Sequence, residues 1–291
     1  MSISVLMSVY RSEKADFLNV ALTSVCERQT LLPDQLVLVE DGPLGDDLLK
    51  VIDQWKEKLG EKMVIVKNPI NLGLTKSLNK GIEFCTSDLI ARMDSDDISE
   101  PERFEKEVAF LINHPDVTIV GGDIREFSTS KGLLYVRAHP RTVEALWNSI
   151  YKANPLAHST VMIRRNMFDR GITYNEKYRK NQDLELWFRA LKNGFNIANL
   201  DEVVLLFRRD DEMFRRRSRK SAFLEFRIYM KGIYSLYGLF NYYYIYPFSR
   251  LFFRLMPNAI MKRIYDSKVR QVVAKSSNHE ELYKNPNVVR I

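Results

Sequence analysis

The sequence predicts an α/β fold, in which a mainly parallel central sheet is flanked by helices and followed by a C-terminal helical region rich in basic and aromatic residues. Three observations lead to this prediction. Short apolar runs alternate with amphipathic stretches of helical periodicity through the first 120 residues. Two of these runs end in acidic turns, and the composition changes sharply near residue 210. Alternation of strands and helices is typical of a parallel sheet with helices on both faces.

The first 120 residues contain five predicted strands and four predicted helices. The strands cover 3–9, 35–39, 63–66, 89–93 and 117–120, and the helices cover 15–27, 48–59, 77–85 and 101–113. The turn Glu40-Asp41-Gly42-Pro43 ends the second strand, and Asp94-Ser95-Asp96-Asp97 ends the fourth. Because ligands of open α/β sheets bind beyond the carboxyl ends of the strands, these acidic turns predict the position of a site.

The pattern is less regular after residue 120. The pair Gly121-Gly122 predicts a break in the fifth strand, and no element is predicted over 123–157. The remaining predicted elements are strands over 159–163 and 203–207 and a helix over 183–192.

Composition and cysteine content exclude several classes of protein. With 45% hydrophobic and 28% charged residues, the chain has the composition of a folded protein and not of a disordered one. Cys26 and Cys85 stand alone, which indicates neither a zinc site nor a disulfide framework and fits a reducing cytoplasm. The first apolar run lacks a preceding positive segment, so it predicts a strand and not a signal peptide. Gly232–Ser249 contains six tyrosines and is too polar for a membrane-spanning helix.

The formal net charge of +7 is unevenly distributed. Arg215–Lys275 contains 14 Lys and Arg residues against two acidic residues, so one region makes the protein basic. This asymmetry predicts an anionic partner, either a membrane surface or a nucleic acid.

The Asp94–Asp97 turn provides the clearest chemical signal. In an extended segment residues i and i+2 share a face, so Asp94 and Asp96 can address one ligand together. Mg²⁺ and Mn²⁺ prefer oxygen ligands and are often held by one or two carboxylates plus substrate phosphates. The alternative is a solvated acidic turn that caps the helix after Pro101. The position of the turn at a strand end favours the metal site.

Three other segments contain candidate residues, each with an ordinary structural alternative. Asn71 and Gly73 permit a tight loop before a helix, where Lys76 could face a phosphate or the loop could simply cap the helix. Glu40-Asp41 could hydrogen-bond a base or ribose, or start a turn. Asp183 begins an amphipathic helix, where a carboxylate is also a common N-terminal cap.

Two further residues are candidates for contact with an acceptor or a diphosphate. His158 precedes a predicted strand, although a lone histidine is more often structural than catalytic. Arg208 follows the last predicted strand.

Together these motifs resemble those of family 2 glycosyltransferases, which have the GT-A fold, and the resemblance covers residues 2–210. The motifs are a strand that ends in Ser8-Val9-Tyr10, the Glu40-Asp41-Gly42 turn, the segment Asn71–Ile82, the Asp94–Asp97 turn and the helix start Asp183-Leu184-Glu185-Leu186-Trp187. Each motif is weak alone, but their order and spacing make the set specific.

The resemblance implies a role for each position. The implied donor-binding residues are Tyr10, Glu40, Asp41, Asn71, Lys76 and Asp94. Tyr10 and Asp41 would hold the base of a nucleotide-sugar, which we expect to be UDP. Asp96 would ligate Mn²⁺ or Mg²⁺ at the donor diphosphate, and Asp183 would be the general base for a single displacement that inverts the anomeric centre.

Three departures from the family pattern bear on these roles. Ser8 stands where proline is frequent, which alters only the exit of the strand. Gln182 replaces an acidic neighbour of the base, so we expect the pKa of Asp183 to be raised less than in the family. No QxxRW motif of processive synthases is present, so we expect one sugar to be added per encounter.

The C-terminal region, 211–291, is predicted to associate with membrane, whereas 1–210 is the predicted catalytic domain. Its aromatic side chains alternate with cations, which suits a membrane interface, where each basic residue contributes about 1 kcal/mol near anionic lipid. The alternative is a helical subdomain that packs its aromatic residues on the core. Nucleic acid is the competing partner, but the glycosyltransferase motifs argue against it.

By analogy with bacterial relatives that build O-antigen or capsule, we expect an undecaprenyl-diphosphate-linked sugar acceptor and a peripheral location on the cytoplasmic face of the plasma membrane.

Two other functions stay open. A sugar-nucleotide nucleotidyltransferase shares the sheet and the carboxylates but favours a glycine-rich loop after the first strand, and Tyr10-Arg11-Ser12-Glu13 has no glycine. A non-catalytic nucleotide- or membrane-binding module is the third reading, against which Asp96 and Asp183 argue.

Overall fold

A computed structural model of the chain describes residues 1–128, 132–209 and 219–256. Its described part contains one sheet in the order β3-β2-β1-β4-β8-β6-β9-β5, with β7 paired to β6. The strands are β1 (Ile3–Val9), β2 (Gln35–Glu40), β3 (Met63–Lys67), β4 (Leu89–Asp94), β5 (Ile98–Ser99), β6 (Val117–Ser128), β7 (Gly132–Arg137), β8 (Met162–Arg164) and β9 (Asn196–Arg208). The predicted α/β class is confirmed.

The first four strands are parallel, and their register brings the predicted site residues to one edge. β1 lies between β2 and β4, with Val9 opposite Glu40 and Ser8 opposite Asp94. The residues that follow these strands therefore meet at the carboxyl end of the sheet, as expected for an α/β fold.

Helices cover both faces of this sheet. They are α1 (Ala15–Cys26), α2 (Asp46–Leu59), α3 (Leu74–Ile82), α4 (Arg103–Asn113), α5 (Val143–Trp147), α6 (Asn166–Asp169), α7 (Gln182–Lys192), α8 (Arg219–Tyr237) and α9 (Ile245–Leu255). Because side chains of a strand alternate between faces, Val5 and Met7 pack with α1, α2 and α4, whereas Leu6 packs with α3, α7 and α8.

The second half of the sheet is mixed, and it differs from the prediction at Gly121-Gly122 and over 123–157, where β7 and α5 lie although no element was predicted. β8 runs antiparallel to both β4 and β6, while β6 and β9 are parallel. The predicted break at Gly121-Gly122 is wrong, because β6 continues through both glycines to Ser128. A Cβ on Gly121 would lie 2.8 Å from Asn199 Oδ1, so the glycine provides space for the neighbouring strand.

α8 packs on the α/β part of the chain through α7. A Cβ on Gly232 would lie 2.3 Å from the Phe188 ring, so only glycine allows this approach of the two helices. Ile228, Tyr229 and Ile233 are buried in the same core cluster as α7. For the C-terminal region, 211–291, the alternative of a helical subdomain packed on the core therefore holds at the inner face of α8.

The remainder of the predicted membrane-associating region is only partly described. Residues 210–218, which include the predicted boundary, and residues 257–291 lie outside the described residues. No helix in the described ranges has both the length and the apolar character needed to cross a membrane.

Candidate active site

Three carboxylates cluster where β4 ends. Asp94 is the last residue of β4, and Asp96 and Asp97 lie in the short connection to β5. One oxygen of each carboxylate lies within 4.8 Å of the others, which is a spacing that a single cation can bridge. The alternative of a helix cap is wrong, because Glu102 occupies the N-cap of α4.

Asp94 is held by a buried arginine that sequence reasoning missed. Arg92 Nη1 donates to Asp94 Oδ2 at 2.7 Å, and Nη2 donates to Oδ1, so the pair is bidentate. Arg92 is buried in β4, two residues before Asp94 and therefore on the same face of the sheet. An arginine inside an otherwise apolar strand was the signal that could have identified it.

Asp96 is partly buried among other carboxylates. Burial, followed by the charges of Asp94 and Glu13, raises the pKa of Asp96 to about 7. Glu13, also missed from the sequence, accepts a hydrogen bond from Ser95 Oγ at 2.6 Å and lies at the start of α1. Carboxylates that repel one another in this way favour either a proton or a bound cation.

Asp97 is buried and is held by Arg208. The backbone N–H of Arg208 donates to Asp97 Oδ1 at 2.8 Å, and Arg208 Nε donates to the Asp96 carbonyl at 2.7 Å. The guanidinium lies 3.8 Å from the centre of the Phe17 ring. The structure therefore places Arg208 behind the cluster, where it holds the loop, and its contact with a diphosphate stays a prediction.

The two acidic residues at the end of β2 have different surroundings. Asp41 Oδ1 accepts the N–H of Leu72 at 2.7 Å, and Oδ2 accepts the N–H of Gly73 at 2.9 Å, so this carboxylate holds the loop before α3. Glu40 is also buried, but its Oε1 accepts no hydrogen bond and lies 3.4 Å from Lys67 Nζ. Glu40 is thus the carboxylate of the pair with free acceptor capacity.

The other predicted donor-binding residues surround this loop. Asn71 Nδ2 donates to the Asp41 carbonyl at 3.3 Å. Gly73, at a φ of 87° that favours glycine, is the N-cap of α3, so Asn71 does not cap that helix. Lys76 is exposed in the first turn, 4.0 Å from Glu176. Tyr10 is 41% exposed just beyond β1.

Asp183 lies in the first turn of α7, and Asn181, with a φ of 54°, is the N-cap. The alternative that Asp183 itself is the capping residue is therefore wrong. Asn154 Nδ2 donates to Asp183 Oδ2 at 2.5 Å. Burial raises the pKa of Asp183, whereas the N–H of Leu184, Asn154 and the charge of Arg92 oppose the rise. An acidic residue at position 182 would have raised the pKa of Asp183 further, and the neutral Gln182 does not. Burial still raises this pKa.

His158 lies beside the same group of residues. Its Nε2 is 2.7 Å from the Tyr174 hydroxyl, and its ring meets Trp187 edge to face. Burial, with the positive charge of Arg92, lowers the pKa of His158 well below its usual range, so the imidazole is neutral at neutral pH. Arg92 therefore connects the acidic cluster electrostatically to both His158 and Asp183.

The arrangement combines a cluster of three carboxylates at the end of β4 with a further carboxylate, Asp183, in the first turn of α7. Asp183 has one oxygen held by the Asn154 amide, and Asp96 is repelled by the charges of Asp94 and Glu13. Such a pair can stabilise an anionic leaving group on one side and activate a hydroxyl on the other.

Comparisons with known proteins agree with this chemistry. Residues 4–172 match the model of a family described as glycosyl transferase family 2. The chain is similar to the amylovoran biosynthesis glycosyltransferase AmsE of Erwinia amylovora, with 34% identity over 90% of this chain and 97% of that protein. It is also 29% identical, over 92% of this chain and 96% of the relative, to the UDP-Gal:α-D-GlcNAc-diphosphoundecaprenol β-1,3-galactosyltransferase of Escherichia coli.

A solved structure shows the same fold. The mannosyltransferase PcManGT from Pyrobaculum calidifontis, in complex with GDP-Man and Mn²⁺, superposes with a TM-score of 0.63 at 12% identity, over 94% of this chain and 78% of that one. The predicted GT-A fold is thereby confirmed.

Proposed function

Because the chain belongs to glycosyl transferase family 2, we propose that it transfers a single sugar, with inversion, from a nucleotide-sugar to a hydroxyl of a lipid-diphosphate-linked sugar in bacterial surface polysaccharide synthesis. One observation carries the proposal. Arg92 pairs with Asp94 of the acidic cluster, and its positive charge also opposes the rise that burial causes in the pKa of Asp183. Donor activation and acceptor activation thus have separate carboxylates at one site.

The donor is UDP-linked in this proposal. A relative with 29% identity uses UDP-Gal, and the loops after β1 and β2 offer Tyr10, Glu40 and Asn71 to a base and ribose. Glu40 is the stronger candidate for the base contact, because the carboxylate oxygens of Asp41 already accept backbone hydrogen bonds. Asp41 then acts by shaping the loop.

The residues of the acidic cluster fit Mn²⁺ or Mg²⁺. Oxygens of three carboxylates lie within 4.8 Å, the buried Asp97 Oδ2 has no hydrogen-bond partner, and the pKa of Asp96 is raised. Asp96 and Asp97 would hold the ion, because Asp94 is paired with Arg92. When bound, the ion supplies positive charge to the leaving diphosphate.

Asp183 is the proposed general base. Asn154 orients the carboxylate through Oδ2, and the raised pKa makes it a better proton acceptor than an exposed aspartate. The acceptor hydroxyl would lose its proton to Asp183 as its oxygen attacks the anomeric carbon from the face opposite the diphosphate. One such displacement inverts the anomeric centre.

The outer face of the C-terminal helices is proposed to rest on the cytoplasmic face of the bacterial plasma membrane. The outer face is defined by large exposed apolar residues of α9 and of the connection that precedes it: Leu239, Phe240, Ile245, Phe248, Phe252 and Phe253. Arg250 and Arg254 lie among them on α9, although both pair with Glu225. Apolar side chains with basic neighbours fit a lipid interface, where the lipid part of the acceptor also lies.

A donor screen tests the proposal. UDP-sugars are incubated with Mn²⁺ or Mg²⁺ and a synthetic GlcNAc-diphosphate-lipid, and the product is analysed by mass and by the anomeric coupling in NMR. We expect one added hexose of inverted configuration. Retention, repeated addition or no product would contradict the proposal, and nucleotide-sugar formation from a nucleoside triphosphate and a sugar 1-phosphate would favour the nucleotidyltransferase.

A further inference from the structure

A basic loop precedes the proposed base. We call Lys177–Lys180 the basic loop; Lys177, Arg179 and Lys180 are exposed in it. None of these three cations forms an ion pair with any residue in the described ranges. Many other cations near the site have such partners, including Arg92 and Arg189. Within the described ranges these three cations therefore concentrate unpaired positive charge in one short segment, which attracts anionic ligands.

Neutral hydrogen bonds hold the basic loop on α3. Thr75 Oγ1 donates to the Tyr178 carbonyl at 2.6 Å, and Asn79 Nδ2 donates to the Tyr174 carbonyl at 2.8 Å. The N–H of Tyr178 donates to the Asn175 carbonyl at 2.9 Å, which closes a turn that leads into the basic loop. The conformation of the loop therefore does not depend on its charges.

The loop lies between the two halves of the site. Arg179 Nε is 3.9 Å from the position that a Cβ on Gly73 would occupy, so the loop reaches the N-terminus of α3. At its other end Asn181 starts α7, and Asp183 follows two residues later. A sugar that presents its hydroxyl to Asp183 can therefore place its own anomeric substituent beside the cations.

We propose that the basic loop binds the diphosphate of the lipid-linked acceptor, one sugar ring away from the attacking hydroxyl. The inference rests on the proposed function, because it assumes that the acceptor carries a diphosphate. Lys177, Arg179 and Lys180 then offset the two negative charges of a diphosphate diester, and Arg179 can bind phosphate oxygens through two N–H groups. The donor also contains a diphosphate, so the test separates the two sources.

The test compares two triple variants of equal charge. Lys177→Ala/Arg179→Ala/Lys180→Ala removes the loop cations, and Arg28→Ala/Lys50→Ala/Lys62→Ala removes three exposed cations on elements remote from α7. Both are assayed with a GlcNAc-diphosphate-alkyl acceptor and with the same alkyl GlcNAc lacking the diphosphate. For the loop variant we expect KM for the diphosphate acceptor to rise about 30-fold or more. We expect KM for the donor, and activity on the acceptor without diphosphate, to change less than about twofold.

An alkyl diphosphate without sugar provides a second measurement. It should inhibit the wild type and the remote variant, but not the loop variant. The assignment is overturned if the loop variant keeps its KM for the diphosphate acceptor, if KM for the donor rises instead, or if both acceptors suffer equally. A wild type that does not use the diphosphate acceptor at all would contradict the proposed function, whereas transfer that is insensitive to the loop would contradict only this inference.

Discussion

The acidic edge of the sheet and the outer face of α8 and α9 are opposite in construction. At the acidic edge several carboxylates have a defined partner: Asp41 binds two backbone amides, Asp94 binds Arg92, and one oxygen of Asp97 binds the Arg208 N–H. The outer face of the C-terminal helices instead presents large apolar side chains, of which Phe240 is 95% exposed.

This difference separates two kinds of recognition. Fixed carboxylates and amides orient a small polar ligand, and displacing one of them by an ångström changes the chemistry. An exposed apolar face with basic neighbours has no such geometry and favours an extended, deformable surface. Variants at the acidic edge should therefore affect turnover strongly, and variants at the outer face should affect location while leaving chemistry intact.

The largest effect is expected for Asp183→Asn. The amide keeps the shape of the side chain but cannot accept the proton, so kcat should fall about 10³-fold, with little change in KM for the donor. Initial rates at saturating donor measure this. Asp53→Asn, an exposed carboxylate on α2, is the matched control and should retain wild-type rates. A loss below about tenfold would remove Asp183 from the role of base.

A smaller effect, about 10²-fold on kcat, is expected for Asp96→Asn. The change removes the charge that would hold the cation, and Mn²⁺ binding measured by calorimetry should weaken in parallel. The thermal midpoint should not fall, because an aspartate repelled by its neighbours contributes little to stability. Normal metal affinity in Asp96→Asn would contradict the proposed metal site.

Arg92→Met tests whether the two halves of the acidic edge are coupled. Loss of the bidentate pair frees Asp94, so KM for the donor should rise about tenfold. Arg92→Lys retains the charge but only part of the hydrogen bonding, so its KM for the donor should lie between those of Arg92→Met and the wild type. If both variants lose stability equally and keep KM, Arg92 supports only the fold.

At the outer face, Phe240→Ser/Phe252→Ser should lower binding to vesicles with anionic lipid by at least about tenfold, because burying each ring is worth about 1.5–3 kcal/mol. Transfer to a short-chain, water-soluble acceptor should stay within twofold. Leu32→Ser/Ile112→Ser removes two other large apolar residues, 55% and 56% exposed, outside this face and should bind vesicles normally. If both double variants lose vesicle binding equally, the outer face of the C-terminal helices is not the specific membrane contact.

The smallest expected effect is a displacement of the pH profile. The carboxylate of Asp183 is the active form and its pKa is raised, so kcat/KM should decline at a higher pH than for an ordinary aspartate as pH falls. The pKa of Asp96, about 7, adds proton competition at the metal site. Saturating Mn²⁺ should therefore suppress the part of the acidic decline that comes from protonation of Asp96. The decline that remains, at lower pH, then reports protonation of Asp183. If the acidic decline of kcat/KM does not change with Mn²⁺ concentration, it is caused by Asp183 alone.

Much of the fold follows from local pattern. The apolar runs and helical periodicity predicted the first four strands and their helices within a few residues, because those elements each bury one continuous apolar face. The continuation of β6 past Gly121 was missed, since glycine reads as a break unless the neighbouring strand that needs the space is known.

The sequence by itself determined that an acidic cluster would follow β4 and that a carboxylate would open α7, because both are local motifs. Only the tertiary structure decided which carboxylates are free. Asp41 accepts the N–H groups of Leu72 and Gly73, and Asp94 is paired with Arg92, whereas Glu40 Oε1 accepts no hydrogen bond and lies only near Lys67. These partnerships depend on burial and on contacts between separate elements, and residue order carries no direct record of either.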